Sequence, residues 1–325
     1  MRSYKALFNI LTFLALSVTV LKSENQPTID HITSNNGLSH NTIRCMLQDT
    51  TGFLWFGSLN GLNRYDGHKI KTLNPVNANV NSLSSGKIKE LYQDSRGYIW
   101  VRTYSDIIHC YNPYSESFLP LFSTRAERQA RHNLFYEDKE KNVWLGGTGS
   151  GCVRISFSGE KIETKQFLSN SPQTGIASDT VNDIFEDSKL NVWILTSNGI
   201  SLYENQRMKL MECRAGASRN FLKAYEANGK IYFIADNGYV IAYDPAKQKI
   251  SDYYNLPTGT QVFRTAMFGK DRVLLSTSKG VYMFLVKTGQ FLTSEMFAGE
   301  KIGGNAGFQK DKSGNLWIYN LTGNV

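Results

Sequence analysis

Apolar runs of four to six residues recur along the chain, each broken by a polar turn, and they return in one order. An apolar strand ends on Asp, a short polar turn follows, and an apolar-Trp-apolar run resumes. Two clear copies are Gln48-Asp49-Thr50-Thr51-Gly52-Phe53-Leu54-Trp55-Phe56 and Gln93-Asp94-Ser95-Arg96-Gly97-Tyr98-Ile99-Trp100-Val101. Three more run from Glu137-Asp138 to Trp144-Leu145, from Glu186-Asp187 to Trp193-Ile194, and from Lys310-Asp311 to Trp317-Ile318. Two degenerate copies fit the long gap, with Tyr232 and Leu274 in the Trp position, so that marks fall at 55, 100, 144, 193, 232, 274 and 317.

A glycine-bearing turn and another apolar run follow most marks, as in Asn60-Gly61-Leu62, Ser197-Asn198-Gly199-Ile200, Asp236-Asn237-Gly238-Tyr239 and Ser278-Lys279-Gly280-Val281. Asn-Gly between apolar runs is a strong hairpin signal, because the turn needs positive φ. Alternation or short apolar runs, rather than a 3.6-residue period, exclude paired-helix repeats. A period near 43 with four short strands per unit predicts an all-β protein, a seven-bladed β-propeller whose last blade is incomplete at the C-terminus. The expected blades lie near 42–73, 87–121, 132–167, 180–212, 221–253, 262–293 and 305–325, with 29–33 completing the last. Each has an innermost strand A before the Asp, strand B with the Trp, then C and D. A single four-stranded sheet cannot bury both faces, so stacking around an axis is expected to cover the aromatic positions. The last repeat stops where strand C should begin and reads as cut short, either a fragment or a truncated gene product.

Composition agrees with a large core: 325 residues, 41% hydrophobic, with 17 Tyr and 18 Phe. Arg2 and Lys5 precede an apolar run, Ala6 to Leu21, and polar Lys22-Ser23-Glu24 follows. This predicts a secretory signal peptide over 1–23 and an exported, periplasmic domain over 24–325. The run falls short of the roughly 20 apolar residues that span a bilayer. Net charge is +8, three units of it from Arg2, Lys5 and Lys22. That excess is too dispersed for a nucleic-acid binder. Cys45, Cys110, Cys152 and Cys213 show no CxxC spacing and read as small buried hydrophobes rather than disulfides. The five His are widely spaced, so no metal or other cofactor is expected.

Asn36-Gly37-Leu38-Ser39-His40-Asn41-Thr42-Ile43, followed by Asp49, Gly52-Phe53-Leu54-Trp55-Phe56-Gly57 and Asn60-Gly61-Leu62-Asn63-Arg64-Tyr65-Asp66-Gly67, resembles the two-component regulator propeller repeat. Repeats two, four and seven match at the turn and Trp, and repeats three, five and six in part. The resemblance implies the periplasmic sensor region of a hybrid two-component system of Bacteroides-type bacteria. Such receptors typically carry two propellers, an immunoglobulin-like module, a membrane span and a kinase. They work as homodimers and sense oligosaccharides released from glycans. This chain contains neither a second propeller nor a span or kinase, so membrane contact would come only through further segments.

In a propeller the D–A loops and B–C turns share one face around the channel. The ligand candidates there are His40, Asn41, Asn60, Arg102, Tyr104, Asp106, Arg131, His132, Arg219 and Arg264. Arg102-Thr103-Tyr104-Ser105-Asp106 replaces a glycine turn and offers both planar donors and an aromatic face to a sugar. The arginines suit a uronate or sulfate. The aspartates of the A–B turns are expected to order those turns rather than hold metal. The five Trp residues, at one repeat phase in mid-strand, are expected in the core. The expected function is therefore a non-catalytic oligosaccharide sensor. The alternatives are a propeller glycoside hydrolase or lyase, which needs paired carboxylates that the ligand face does not offer, and a protein-binding scaffold.

Overall fold

The computed structural model describes residues 31–75, 82–122, 127, 130–159, 161–171, 175–213, 219–310 and 316–320. Seven antiparallel sheets follow one another, each strand beside the next in sequence. Blade 1 holds β1 (Ile43–Gln48), β2 (Leu54–Ser58), β3 (Gly61–Tyr65) and β4 (Ile70–Leu73). Blade 2 holds β5 (Ile88–Gln93), β6 (Ile99–Thr103), β7 (Ile108–Asn112) and β8 (Ser117–Phe118). Blade 3 holds β9 (Leu134–Glu137), β10 (Val143–Gly146), β11 (Cys152–Ser158) and β12 (Lys161–Phe167). Blade 4 holds β13 (Val181–Glu186), β14 (Val192–Thr196), β15 (Gly199–Glu204) and β16 (Arg207–Leu210). Blade 5 holds β17 (Phe221–Ala227), β18 (Lys230–Ala235), β19 (Tyr239–Asp244) and β20 (Lys249–Asn255). Blade 6 holds β21 (Val262–Phe268), β22 (Arg272–Thr277), β23 (Gly280–Leu285) and β24 (Gln290–Thr293), followed by a short helix α1 (Ser294–Ala298). Blade 7 shows β25 (Ala306–Lys310) and β26 (Leu316–Asn320) among the described residues. Residues 1–30, including the expected signal peptide and Ile29-Asp30, lie outside the described residues. His31–Thr33 carry no strand.

The Asp-turn-Trp element closes on itself. Asp49 Oδ2 accepts a hydrogen bond from the Trp55 indole N–H at 2.7 Å, and its Oδ1 accepts from the main-chain N–H groups of Thr51 and Phe53. Asp94–Trp100, Asp138–Trp144 and Asp187–Trp193 repeat the bond at 2.9, 2.8 and 2.9 Å. One carboxylate thus orders its turn and satisfies a donor that the core would otherwise strand. Asp311 lies outside the described residues.

The indole then packs on the following blade. Trp55 meets Tyr111 at 5.5 Å, Trp144 meets Tyr203 at 5.1 Å, and Trp193 meets Tyr243 at 5.0 Å, each edge-on as aromatic quadrupoles favour. Tyr232 takes the same place in blade 5 and meets Phe284 at 5.8 Å. It pairs across to Tyr225 as Trp193 does to Phe185, so the degenerate copies keep the repeat's register. Leu274 holds the position in blade 6 and is buried.

A second tie crosses the blades. In blades 2 to 5 the residue before the Asp position, which Ala227 holds in blade 5, reaches back to the A–B turn of the preceding blade. Gln93 Oε1 accepts from the Thr50 N–H, Glu137 from Ser95, Glu186 from Lys139 and Glu226 from Ser188.

Trp317 corrects the expectation that all five Trp residues lie in the core: it is 62% exposed. The other four indoles are each buried against the next blade. The four cysteines are free thiols, Cys110 and Cys152 buried, Cys45 and Cys213 half-buried.

Candidate functional site

The ten candidate residues all lie at D–A loops, B–C turns or the adjoining strand ends. Comparison between blades separates framework from free chemistry. His40 Nδ1 accepts from the Thr42 N–H at 2.9 Å, as Ser85 Oγ does from Lys87 and Ser178 Oγ from Thr180. Asn41 Oδ1 accepts from the Ser34 N–H at 2.6 Å, and Asp179 Oδ1 from Ser169 at 2.7 Å in the matching loop. Asn60 N–H bonds Ser58 Oγ, as Asn198 bonds Thr196 and Lys279 bonds Thr277. The side chains of His40 and Asn41 thus hold their own loops, while at Asn60 the main-chain N–H is the group tied down. His132 is buried with neither ring nitrogen partnered, and burial lowers its pKa to about 4. Arg131 and Arg219 are exposed. Arg264, exposed on blade 6, donates from Nη1 to Asn305 Oδ1 at 2.7 Å.

Arg102, Tyr104 and Asp106 come together on blade 2. Strand A there bulges at Lys89, as it does at Arg44, Asn182, Leu222 and Phe263 in blades 1, 4, 5 and 6. A bulge turns one side chain out of the alternation. The register after it sets Glu90 opposite Arg102. Arg102 Nε donates to Glu90 Oε2 at 2.8 Å and Nη1 to Asp106 Oδ1 at 3.1 Å. Lys89 Nζ meets the same Asp106 oxygen at 2.9 Å. The B–C turn carrying Asp106 is one residue longer than those of blades 1, 4 and 6 and as long as that of blade 5, where Gly238 takes the place of Asp106. Ser58, Thr196 and Thr277 each bond the carbonyl three residues on, whereas Thr103 bonds that of Ile107. The extra residue puts Asp106 at φ 60, the left-handed region that Asp tolerates, in a turn where Gly61, Gly199 and Gly280 serve elsewhere. Its carbonyl accepts from the His132 N–H at 2.7 Å, which joins the turn to blade 3.

Below this cluster a cavity of about 270 Å³ opens between the inner strands of blades 2 and 3. Trp100, Val101 and Ile108 are among its apolar lining, with Tyr92, Phe135 and Arg102. The rings of Tyr92 and Phe135 lie 4.0 Å apart and tilted by 43°. Glu90, Lys89, Tyr92 and Phe135 were not among the sequence candidates. Counting back from Asp94 through the bulge would have found Glu90 and Tyr92, but the bulge leaves no sequence signature. A larger space of about 730 Å³ between blades 6 and 7 is lined by Leu274, Met283, Leu285, Leu292 and Phe297, apart from Arg272 and blade 7 apolar residues. It lies beside the two-stranded sheet and offers little polar chemistry. Among the described residues no group of three or more His, Cys, Asp or Glu could hold a metal ion.

The family model for the two component regulator propeller matches residues 37–60 and 82–105, so both segments are repeats of that family. No curated protein matches the chain. Among solved structures, the extracellular domain of a candidate one component system from B. thetaiotaomicron aligns over 86% of this chain at 19% identity and TM-score 0.50. This chain spans 41% of that one. Dihydro-heme d1 dehydrogenase NirN aligns over 82% of this chain and 58% of its own at 10% identity and TM-score 0.52. Virginiamycin B lyase from Staphylococcus aureus aligns over 85% of this chain and 90% of its own, at 15% identity and TM-score 0.49. The first two likenesses, at 19% and 10% identity, show the fold alone.

Proposed function

We propose that this chain is the extracytoplasmic sensor propeller of a two-component-type receptor, and that it binds an oligosaccharide on the loop face of blades 2 and 3 without turning it over. The single observation that carries this is the juxtaposition on blade 2. A fan of charged donors and acceptors (Lys89, Glu90, Arg102 and Asp106) stands over an apolar cavity flanked by Tyr92 and Phe135. Sugar hydroxyls need paired donors and acceptors, and the apolar ring face needs an aromatic surface. The cavity is near the lower end of small-ligand sites, which begin at about 300 Å³, and suits one ring of a longer chain. Asp106 and Glu90 both engage Arg102, so this pair is not arranged as the free acid and base of a glycosidase.

The family repeats support the receptor context, and the apolar run of residues 6–21 supports export. Among the described residues no helix is long and apolar enough to cross a membrane. Homodimerisation belongs to the receptor reading and rests on the resemblance alone. The test is a thermal-shift and calorimetric screen of the protein against neutral, uronate-containing and sulfated oligosaccharides, with product analysis. A saturable rise in Tm without new products, lost in Arg102→Ala and Tyr92→Ala, is expected. Released product would establish an enzyme instead, and no shift with any glycan would remove the oligosaccharide reading.

A further inference from the structure

The charges at the blade 2 cavity cancel one another, and this bears on the ligand they select. The cavity lining carries one base and one acid, Arg102 and Glu90. They are bonded together: Arg102 donates from Nε and Nη2 to Glu90 Oε2. Its Nη1 goes to Asp106 Oδ1, which also takes Lys89 Nζ at 2.9 Å. Two cations thus meet two carboxylates, and the group of four is neutral as a whole. A uronate or sulfate is recognised best by two parallel bonds from one open guanidinium edge. At Arg102 the Nε–Nη2 edge is taken by Glu90, and the other edge is partly taken by Asp106 at Nη1. An incoming anion would have to displace a carboxylate already in place. The exposed cations nearby in sequence, Lys87 and Arg131, are not part of the lining.

The atoms left open are acceptors. Among the described residues, Glu90 Oε1 and Asp106 Oδ2 receive no hydrogen bond. Their side chains are 59% and 30% exposed, so both reach solvent at the mouth. Exposed Asn133, also in the lining, adds an uncharged amide. We infer that the oligosaccharide read by this site is a neutral one, whose hydroxyls donate to Glu90 Oε1 and Asp106 Oδ2 while the apolar face of one ring lies against Tyr92 and Phe135. This rests on the reading of the cavity as the oligosaccharide site. Hydroxyls add to the open lone pairs without breaking an ion pair. A ligand carboxylate or sulfate would face two like charges and lose its water with no free cation in return.

Matched pairs of ligands test the inference by isothermal titration calorimetry. Each neutral hexose oligosaccharide is paired with the twin in which its primary C6 hydroxyls are oxidised to carboxylates, and each uronate chain with its carboxyl-reduced twin. Wild type, Glu90→Gln and Asp106→Asn are compared. Gln keeps an acceptor for Arg102, and Asn tolerates the left-handed turn. One exposed like charge is worth about threefold in affinity, and two about tenfold. The neutral twin should therefore bind wild type about tenfold tighter, and the gap should narrow about threefold in each variant. An acid twin that binds wild type equally or more tightly overturns the inference and leaves the oligosaccharide reading standing. A neutral preference that stays the same in both variants overturns it too, because the preference then comes from a lost C6 hydroxyl and not from these carboxylates. Silence from every pair removes the oligosaccharide reading and this inference with it.

Discussion

Replacing Asp187 by alanine tests the Asp–Trp element where it is most enclosed. Asp187 is 1% exposed and accepts four hydrogen bonds. Its Oδ1 takes the N–H groups of Lys189 and Asn191, each at 2.9 Å, and its Oδ2 takes Asn191 Nδ2 at 3.0 Å and Trp193 Nε1 at 2.9 Å. Alanine removes all four. Lys189 is exposed and Asn191 half-buried, so their donors recover water, and each of those bonds is worth about 0.5–1.5 kcal/mol. The Trp193 indole is 1% exposed and finds no substitute, which costs about 1–3 kcal/mol. The expected loss is about 3–7 kcal/mol, a large part of the stability of an ordinary domain. Asp187→Asn keeps the shape but turns an NH₂ toward a donor, and should lose about 2 kcal/mol. Urea unfolding followed by far-UV circular dichroism measures both. A double-mutant cycle with Trp193→Phe should return a coupling of about 1.5–3 kcal/mol for the charged hydrogen bond. A loss below about 1 kcal/mol in Asp187→Ala, or coupling near zero, would refute the idea that this carboxylate supports the indole.

Leu190 stands at φ +67 in the turn where blades 1 and 2 place Gly52 and Gly97, and it is 50% exposed. Leu190→Gly should therefore raise stability by about 0.5–1 kcal/mol, since relief of the left-handed strain exceeds the entropic loss; a fall in the urea midpoint would contradict this. Burial lowers the pKa of His132 from 6.5 to about 4, so the folded state binds its proton less readily than the unfolded chain. Stability is full above about pH 6.5 and falls as pH drops toward 4, by about 2 kcal/mol between pH 7 and pH 5 from this group. His132→Phe should remove that part of the acid loss, which urea titrations at both pH values would show. His109, lowered to about 4 by burial as well, should retain its own share. Glu226→Ala removes the acceptor for both the N–H and the Oγ of Ser188 and should lower stability by about 1 kcal/mol, read from the same urea curves.

The legible part of the chain was its repeat. Asp187, Trp193 and the turn between them lie within seven residues, and Ser197-Asn198-Gly199 closes its own hairpin, so contiguous residue types sufficed to place strands A, B and C. Even Tyr232 and Leu274 were placed correctly, because register follows from spacing. The site was less legible. His40 has the composition of a ligand residue, and only its equivalence with Ser85 and Ser178 in three dimensions shows it holding a loop. Arg102 was found, but Glu90, which engages it, depends on a bulge at Lys89 that composition does not mark.

By itself, then, the order of amino acids determined the blade, since turn chemistry and strand alternation act over a few neighbouring residues. The tertiary structure decided what each blade touches. Trp55 finds Tyr111, and Glu137 finds the turn at Ser95, across some forty residues or more of chain. Burial and interblade hydrogen bonds act at that range, which is why Trp317, alike in sequence to four buried indoles, can differ from them at 62% exposed.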